Sequence, residues 1–187
     1  MHALQDLLDT IPDAAIRTLT ASALEQAPES FWIAPSSTSG KYHPADELGQ
    51  GGLVLHTRKV FAIARTLMLA YRIGPASRTY SVILAAALLH DAWKVLPGER
   101  HSRFEHPLLA SAVIQDCATQ QGFSGKSKTL ADLLHCVESH MGIWNTNKHA
   151  EGIILPLPET DAAMVLHLAD FIASRRAISI DTPALLA

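Results

Sequence analysis

With only two cysteines, Cys117 and Cys136, in 187 residues, the chain has no material for a disulfide framework. Both fall in helical, mainly apolar patterns and read as reduced core thiols without chemistry. Long apolar runs are missing too. The strongest, Ser81 to Leu89 and Leu67 to Ala70, are too short or too interrupted to cross a bilayer. No basic segment followed by an apolar one opens the chain, so a cytoplasmic protein with no membrane partner is expected. A large excess of one charge is also absent. The net charge of −3 excludes the density of a long duplex-binding surface, and no named nucleic-acid motif occurs. Neither an alternating strand pattern nor an internal repeat is present.

What is present is helical spacing. Leu4 to Leu8 and Asp13 to Ala27 repeat apolar residues at three and four, with Pro12 where a helix can begin. Leu53 to Ile73 and Ser77 to Trp93 do the same on either side of Gly74-Pro75. Further helices are expected from His106-Pro107 to about Gln121, from Lys126 to Met141, and from Thr160 to Arg176. Pro28 to Gly52, rich in Pro, Ser and Gly, reads as a long functional loop, and residues 142–158 as a second. The expectation is an all-α bundle of about six to eight helices, a single domain over residues 1–187. It comprises an N-terminal helical extension over 1–30, a substrate loop at about 34–50 and a core at about 50–176.

Polar residues intrude on several apolar helix faces. Leu-Leu-His90-Asp91 ends a strongly apolar stretch. An unpaired ionised Asp there would be costly, so it either coordinates a metal or turns to water beside a partly buried His. His56 follows Gly-Gly-Leu-Val-Leu, His140 follows Cys-Val-Glu-Ser, and Asp170 sits within Val-Leu-His-Leu-Ala-Asp-Phe-Ile. Imidazole with carboxylate suits Mn, Fe, Co, Ni or Zn, whereas Mg or Ca sites are built mainly of oxygen.

The order His56, His90-Asp91, Lys94 and Asp170 resembles the H...HDxxK...D signature of HD-superfamily phosphohydrolases over about 115 residues. The resemblance implies an HD-domain helical bundle and a divalent transition metal held by His56, His90, Asp91 and Asp170. His106 in Phe-Glu-His-Pro and His140 fall where binuclear members place two more histidines. They would hold a second ion, with Asp91 bridging and Asp91 and Lys94 as the catalytic residues. His106 also reads as an ordinary N-terminal helix residue, and Lys94 as an exposed helix-end lysine favoured by the dipole. His167 shares the Asp170 helix face, and His43 and His101 lie on loops that can face the site. His135 and His149 read as surface or core, and none of these five is taken as a ligand.

Lys41 to His106 carries nine Lys and Arg against five Asp and Glu, a bias suited either to an anionic substrate or to a solvated face. Substrate-binding candidates are Lys41 and Tyr42, in a loop with Ser and Thr hydroxyls, and Trp144, which can stack on a base. Gly40-Lys41 is no phosphate loop, since it lacks the upstream Gly and the strand-to-helix context. Arg175 and Arg176 can reach a phosphate or complement a helix C-terminus. The expected reaction is hydrolysis of a phosphate ester or anhydride of a nucleotide or short oligonucleotide by metal-activated hydroxide. Three other readings stand beside it. One is 3'-to-5' exonuclease-like action on single-stranded RNA or DNA, because two phrases are similar to the HD domain of bacterial exoribonucleases. The second is a di-iron HD oxygenase, and the third a regulatory metal-binding module. An oligomer is compatible with all of them.

Overall fold

Capping side chains decide where the principal helices start. In the computed structural model, which describes residues 3–37, 40–99 and 101–186, the helices are α1 (Gln5–Leu8), α2 (Ala14–Glu25), α3 (Glu29–Ile33), α4 (Gly52–Ala70), α5 (Arg78–Leu89), α6 (His106–Gln120), α7 (Lys128–Ser139), α8 (Asp161–Ala173) and α9 (Thr182–Leu186). Asp13, Ser77, Ser127 and Thr160 accept first-turn backbone N–H groups of α2, α5, α7 and α8. Each such cap stabilises by about 1 kcal/mol. Pro107 opens α6, where its missing N–H costs nothing. The all-α expectation holds: among the described residues there is no strand, only an isolated antiparallel bridge between Thr146 and Ile154.

Helix α5 is the axle of the bundle. From Ser81 to Leu89 every residue is at most 1% exposed, because α2, α4, α7 and α8 pack around it. A helix apolar on all sides is stable only when enclosed in this way, and each large aliphatic side chain there contributes about 1.5–3 kcal/mol. Ala85, Ala86 and Ala87 let the neighbouring helices approach closely. Both cysteines are free and buried, and burial pushes the Cys136 thiol up to about 12, as expected of inert core thiols. No described helix is long and apolar enough to cross a membrane.

Several boundaries differ from the sequence expectation. Helix α5 stops at Leu89, four residues before Trp93, so His90-Asp91 and Lys94 sit on the turn that follows it. Helix α7 covers Lys128–Ser139 and α8 ends at Ala173, each shorter than its apolar spacing implied. The segment expected as one loop from Pro28 to Gly52 contains α3, capped by Pro28, and a 3-10 turn, Ala45–Glu47. Short helices carry too few periods to register in a pattern. With α3 and α9 included, there are nine helices among the described residues, beside the about six to eight expected.

Candidate metal centre

Five helix ends converge on one point. His56 comes from the first turns of α4, His90 and His140 are the C-terminal caps of α5 and α7, His106 opens α6, and Asp170 lies in the last turn of α8. A helix C-terminus leaves carbonyls without partners, and the His90 and His140 rings use two of them, while His106 uses one just ahead of α6. His90 Nδ1 donates to Ala87 O at 2.9 Å, His140 Nδ1 to Val137 O at 2.7 Å, and His106 Nδ1 to Arg103 O at 2.6 Å. Each bond fixes a tautomer and leaves Nε2 as the free lone pair, aimed inward.

Those inward groups are acceptors crowded on acceptors. His106 Nε2 is 3.2 Å from His140 Nε2 and 3.0 Å from Asp91 Oδ1, while His140 Nε2 is 3.6 Å from the same oxygen. On the other side of the carboxylate, Asp91 Oδ2 lies 3.6 Å from His90 Nε2, 3.8 Å from His56 Nε2 and 2.6 Å from Lys94 Nζ. Asp170 Oδ1 completes this side at 3.0 Å from His56 Nε2 and 4.0 Å from His90 Nε2. His90 Nε2 is fully buried, with no hydrogen-bond partner among the described residues. A buried lone pair of that kind is costly unless a cation receives it. The donor set therefore fits a divalent metal: among the described residues three groups are close enough to hold one, and two of them, His56 with His90 and Asp91, and Asp91 with His106 and His140, meet at Asp91, the third being His43 with Glu47 and His56.

Ionisation follows the same geometry. Burial would raise the Asp91 carboxyl, but the Lys94 ammonium and the His90, His106 and His140 rings packed against it outweigh burial and hold it well below the usual carboxylate range. Burial brings His90 down to about 4, so its ring stays neutral and available as a ligand. Burial also pulls on His56, yet Asp170 and Glu47 carry it up to about 9. Lys94, 15% exposed, is likewise raised against burial by Asp91 and Asp170 and remains an ammonium.

Sequence reasoning missed Glu47. It is completely buried, with Oε2 accepting from His43 Nδ1 at 2.9 Å and facing His56 Nδ1 at 3.2 Å, and with Oε1 2.9 Å from Lys59 Nζ. A carboxylate behind a ligand histidine orients the ring and strengthens it as a donor. The backbone allows this because position 52 is glycine: a Cβ there would stand 1.8 Å from Glu47 O. Only the doublet Gly51-Gly52 hinted at such an approach.

In front of the cluster opens a cavity of about 460 Å³. Lys94, His106, His140 and Asp170 form its inner end, and Tyr42, Trp144, Phe171 and Arg175 its mouth. Of the expected substrate residues, Tyr42 and Trp144 line it, whereas Lys41 does not and instead holds Nζ 5.0 Å from the Tyr42 ring centroid. Thr38 and Ser39 of that loop, and Arg100, lie outside the described residues. Phe171, given no role by the sequence, stacks on Trp144 with centroids 5.5 Å apart and planes at 12°. His43 reaches the cavity, His101 does not, and His167 donates Nδ1 to His140 O at 2.8 Å. Gly142 permits that contact, since its φ is +57° and a Cβ would meet the His167 ring at 2.1 Å. The positive bias of residues 41–106 is largely answered internally, by Arg58 with Asp6, Lys59 with Asp46 and Glu47, and Arg103 with Glu99 and Glu105.

Helix ends that gather histidines and carboxylates beneath a cavity define an all-helical fold able to hold divalent metal. The chain belongs to the HD domain family: the model described as HD domain matches residues 53–174, a span that includes all six sequence-derived ligand candidates. This is the domain of a superfamily of metal-dependent phosphohydrolases. None of the curated proteins and none of the solved structures compared with the chain matches it.

Proposed function

We propose that the chain hydrolyses a phosphate ester or anhydride of a nucleotide or short oligonucleotide. His56, His90, Asp91 and Asp170 would hold one divalent transition ion, drawn from Mn, Fe, Ni, Co and Zn, and His106 and His140 a second, with Asp91 shared. The observation that carries this reading is Asp91, whose two oxygens face two separate histidine sets while Lys94 closes on it at 2.6 Å. Ions bound there activate water and draw charge from phosphoryl oxygens.

The protein's own part is positioning and charge. Lys94 Nζ stands at the inner end of the cavity and balances negative charge as it grows on the phosphate. Asp91 keeps that ammonium directed and stays ionised because of it. The backbone carbonyls of Ala87, Arg103 and Val137 hold the three rings so that no reorganisation is needed during the reaction. Tyr42 and Trp144 supply flat surfaces for a base, a feature that favours nucleotides over simple phosphate esters.

The test is a product-resolved screen of Mn-loaded protein against nucleotides, dinucleotides, cyclic nucleotides and short RNA and DNA, with Asp91→Ala as blank. Release of phosphate or nucleoside monophosphate by the wild type alone supports the reading and names the substrate. Silence of the Mn-loaded protein across the panel, with two irons found in the protein as isolated, overturns it in favour of oxygen chemistry.

A further inference from the structure

Three cations line the cavity, and two are already answered. Lys94 is paired with Asp91, and Arg103 with Glu99 and Glu105. Arg175 is different: among the described residues no carboxylate pairs with it. Its guanidinium sits 4.1 Å from the Phe171 ring centroid, 5.7 Å from Trp144 and 5.9 Å from Tyr42. Nε donates to Phe171 O at 3.1 Å and Nη2 to Ser174 Oγ at 3.3 Å. Those two bonds and the rings fix the plane of the fork, and among the described residues Nη1 has no hydrogen-bond partner.

A half-buried guanidinium held over ring faces gains from their quadrupoles, but that attraction does not neutralise it. An Arg fork is matched in geometry to phosphate oxygens, which it binds in pairs. Its neighbours are the mouth rings and the end of α8, not the inner histidine cluster, so an anion held here is not the group held at Asp91.

We propose that Arg175, with Tyr42, Trp144 and Phe171, forms a second anion subsite that binds a phosphate other than the one hydrolysed, so that the preferred substrate carries two phosphate groups. The second phosphate lies either on the same nucleotide or on the link to the next. The proposal rests on the hydrolase reading for the first phosphate, and the test separates the two.

Mn-loaded wild type, Arg175→Gln and Arg175→Lys are titrated in the cold by calorimetry, and assayed for hydrolysis, with three probes: a nucleoside 5'-monophosphate, a nucleoside 3',5'-bisphosphate and a 5'-phosphorylated dinucleotide. Arg175→Gln is expected to weaken binding of the bisphosphate, the dinucleotide or both by about tenfold or more, as loss of a charged hydrogen bond does. Its effect on the monophosphate is expected to stay within about twofold. Arg175→Lys should recover part of the loss, which a misfolded variant would not. Loss confined to the bisphosphate assigns the second phosphate to the same nucleotide, and loss confined to the dinucleotide assigns it to the link. Equal loss on all three probes, or none, overturns the subsite. Selective loss of binding with no hydrolysis by any protein keeps the subsite and sinks the hydrolase reading, whereas hydrolysis without selective loss does the reverse.

Discussion

At the inner end of the cavity His56, His90, Asp91, His106 and His140 are at most 2% exposed, whereas at the mouth Tyr42 and Trp144 are 53% and 45% exposed. The inner groups are held by carbonyls of helix ends and by a buried carboxylate, so their geometry is set by the bundle itself. Two of the mouth aromatics, Tyr42 and Trp144, come from connecting segments, and Trp144 stacks on Phe171 of α8. On the proposed reading, reactivity falls to the buried groups held by the bundle and selectivity to the exposed mouth, a division that would let one be altered without the other.

Substitutions that respect this division should separate rate and metal content from affinity. The largest effect is expected from Asp91→Ala, which removes both halves of the centre together. Activity should fall on the order of 10³-fold or more and metal content should drop, read by elemental analysis. Retained activity would break the comparison at its strongest point. Lys94→Ala should lower kcat about 10²-fold while the metal content stays, because it removes charge near the phosphate and no ligand. Glu47→Gln should weaken metal affinity about 10- to 100-fold, measured by chelator competition, although Glu47 touches no substrate. Trp144→Ala belongs to the mouth, and it should raise KM about tenfold with kcat kept. If instead it lowers kcat with KM unchanged, the two ends are not separable.

The smallest effect concerns pH in the chelator-treated protein. The folded value of His56, about 9, lies above its unfolded value near 6.5. Its contribution to stability is therefore complete below about 6.5 and is lost as pH rises through about 9. Thermal melts across that window should show the midpoint declining, and His56→Gln should flatten the decline.

Much of the inner end was legible in the sequence, because a polar residue at the end of an apolar helix is conspicuous. Such intrusions named His56, His90, Asp91, His140 and Asp170, and the structure gathers them with His106. Lys94 meets Asp91 although α5 ends before either residue. A turn, with Lys94 N donating to Asp91 O at 3.0 Å, reproduces the spacing that a continued helix would have given. Glu47 was hidden because its burial comes from α4 folding over it, and nothing local marks a glutamate in a polar segment as enclosed. Phe171 was hidden for the opposite reason: within an apolar helix one aromatic looks like any other, and only the fold shows it facing Trp144. The sequence names Lys41 with Tyr42 as part of one loop, and of the two only Tyr42 lines the cavity, with Lys41 Nζ set over its ring.

Gly142 also sets where the segment after α7 can be lengthened. The residues from Asn147 to Gly152 form a mainly exposed tip, closed at its base by Leu155 N donating to Asn145 O at 2.9 Å and Asn145 Nδ2 donating to Leu155 O at 3.1 Å. A tag or a grafted peptide inserted at that tip leaves both bonds in place, in keeping with the tolerance of exposed loop ends. The same insertion next to position 142 would push the His167 ring from its seat. For anyone re-engineering specificity, the usable cloning junction and the forbidden one are thus only a few residues apart.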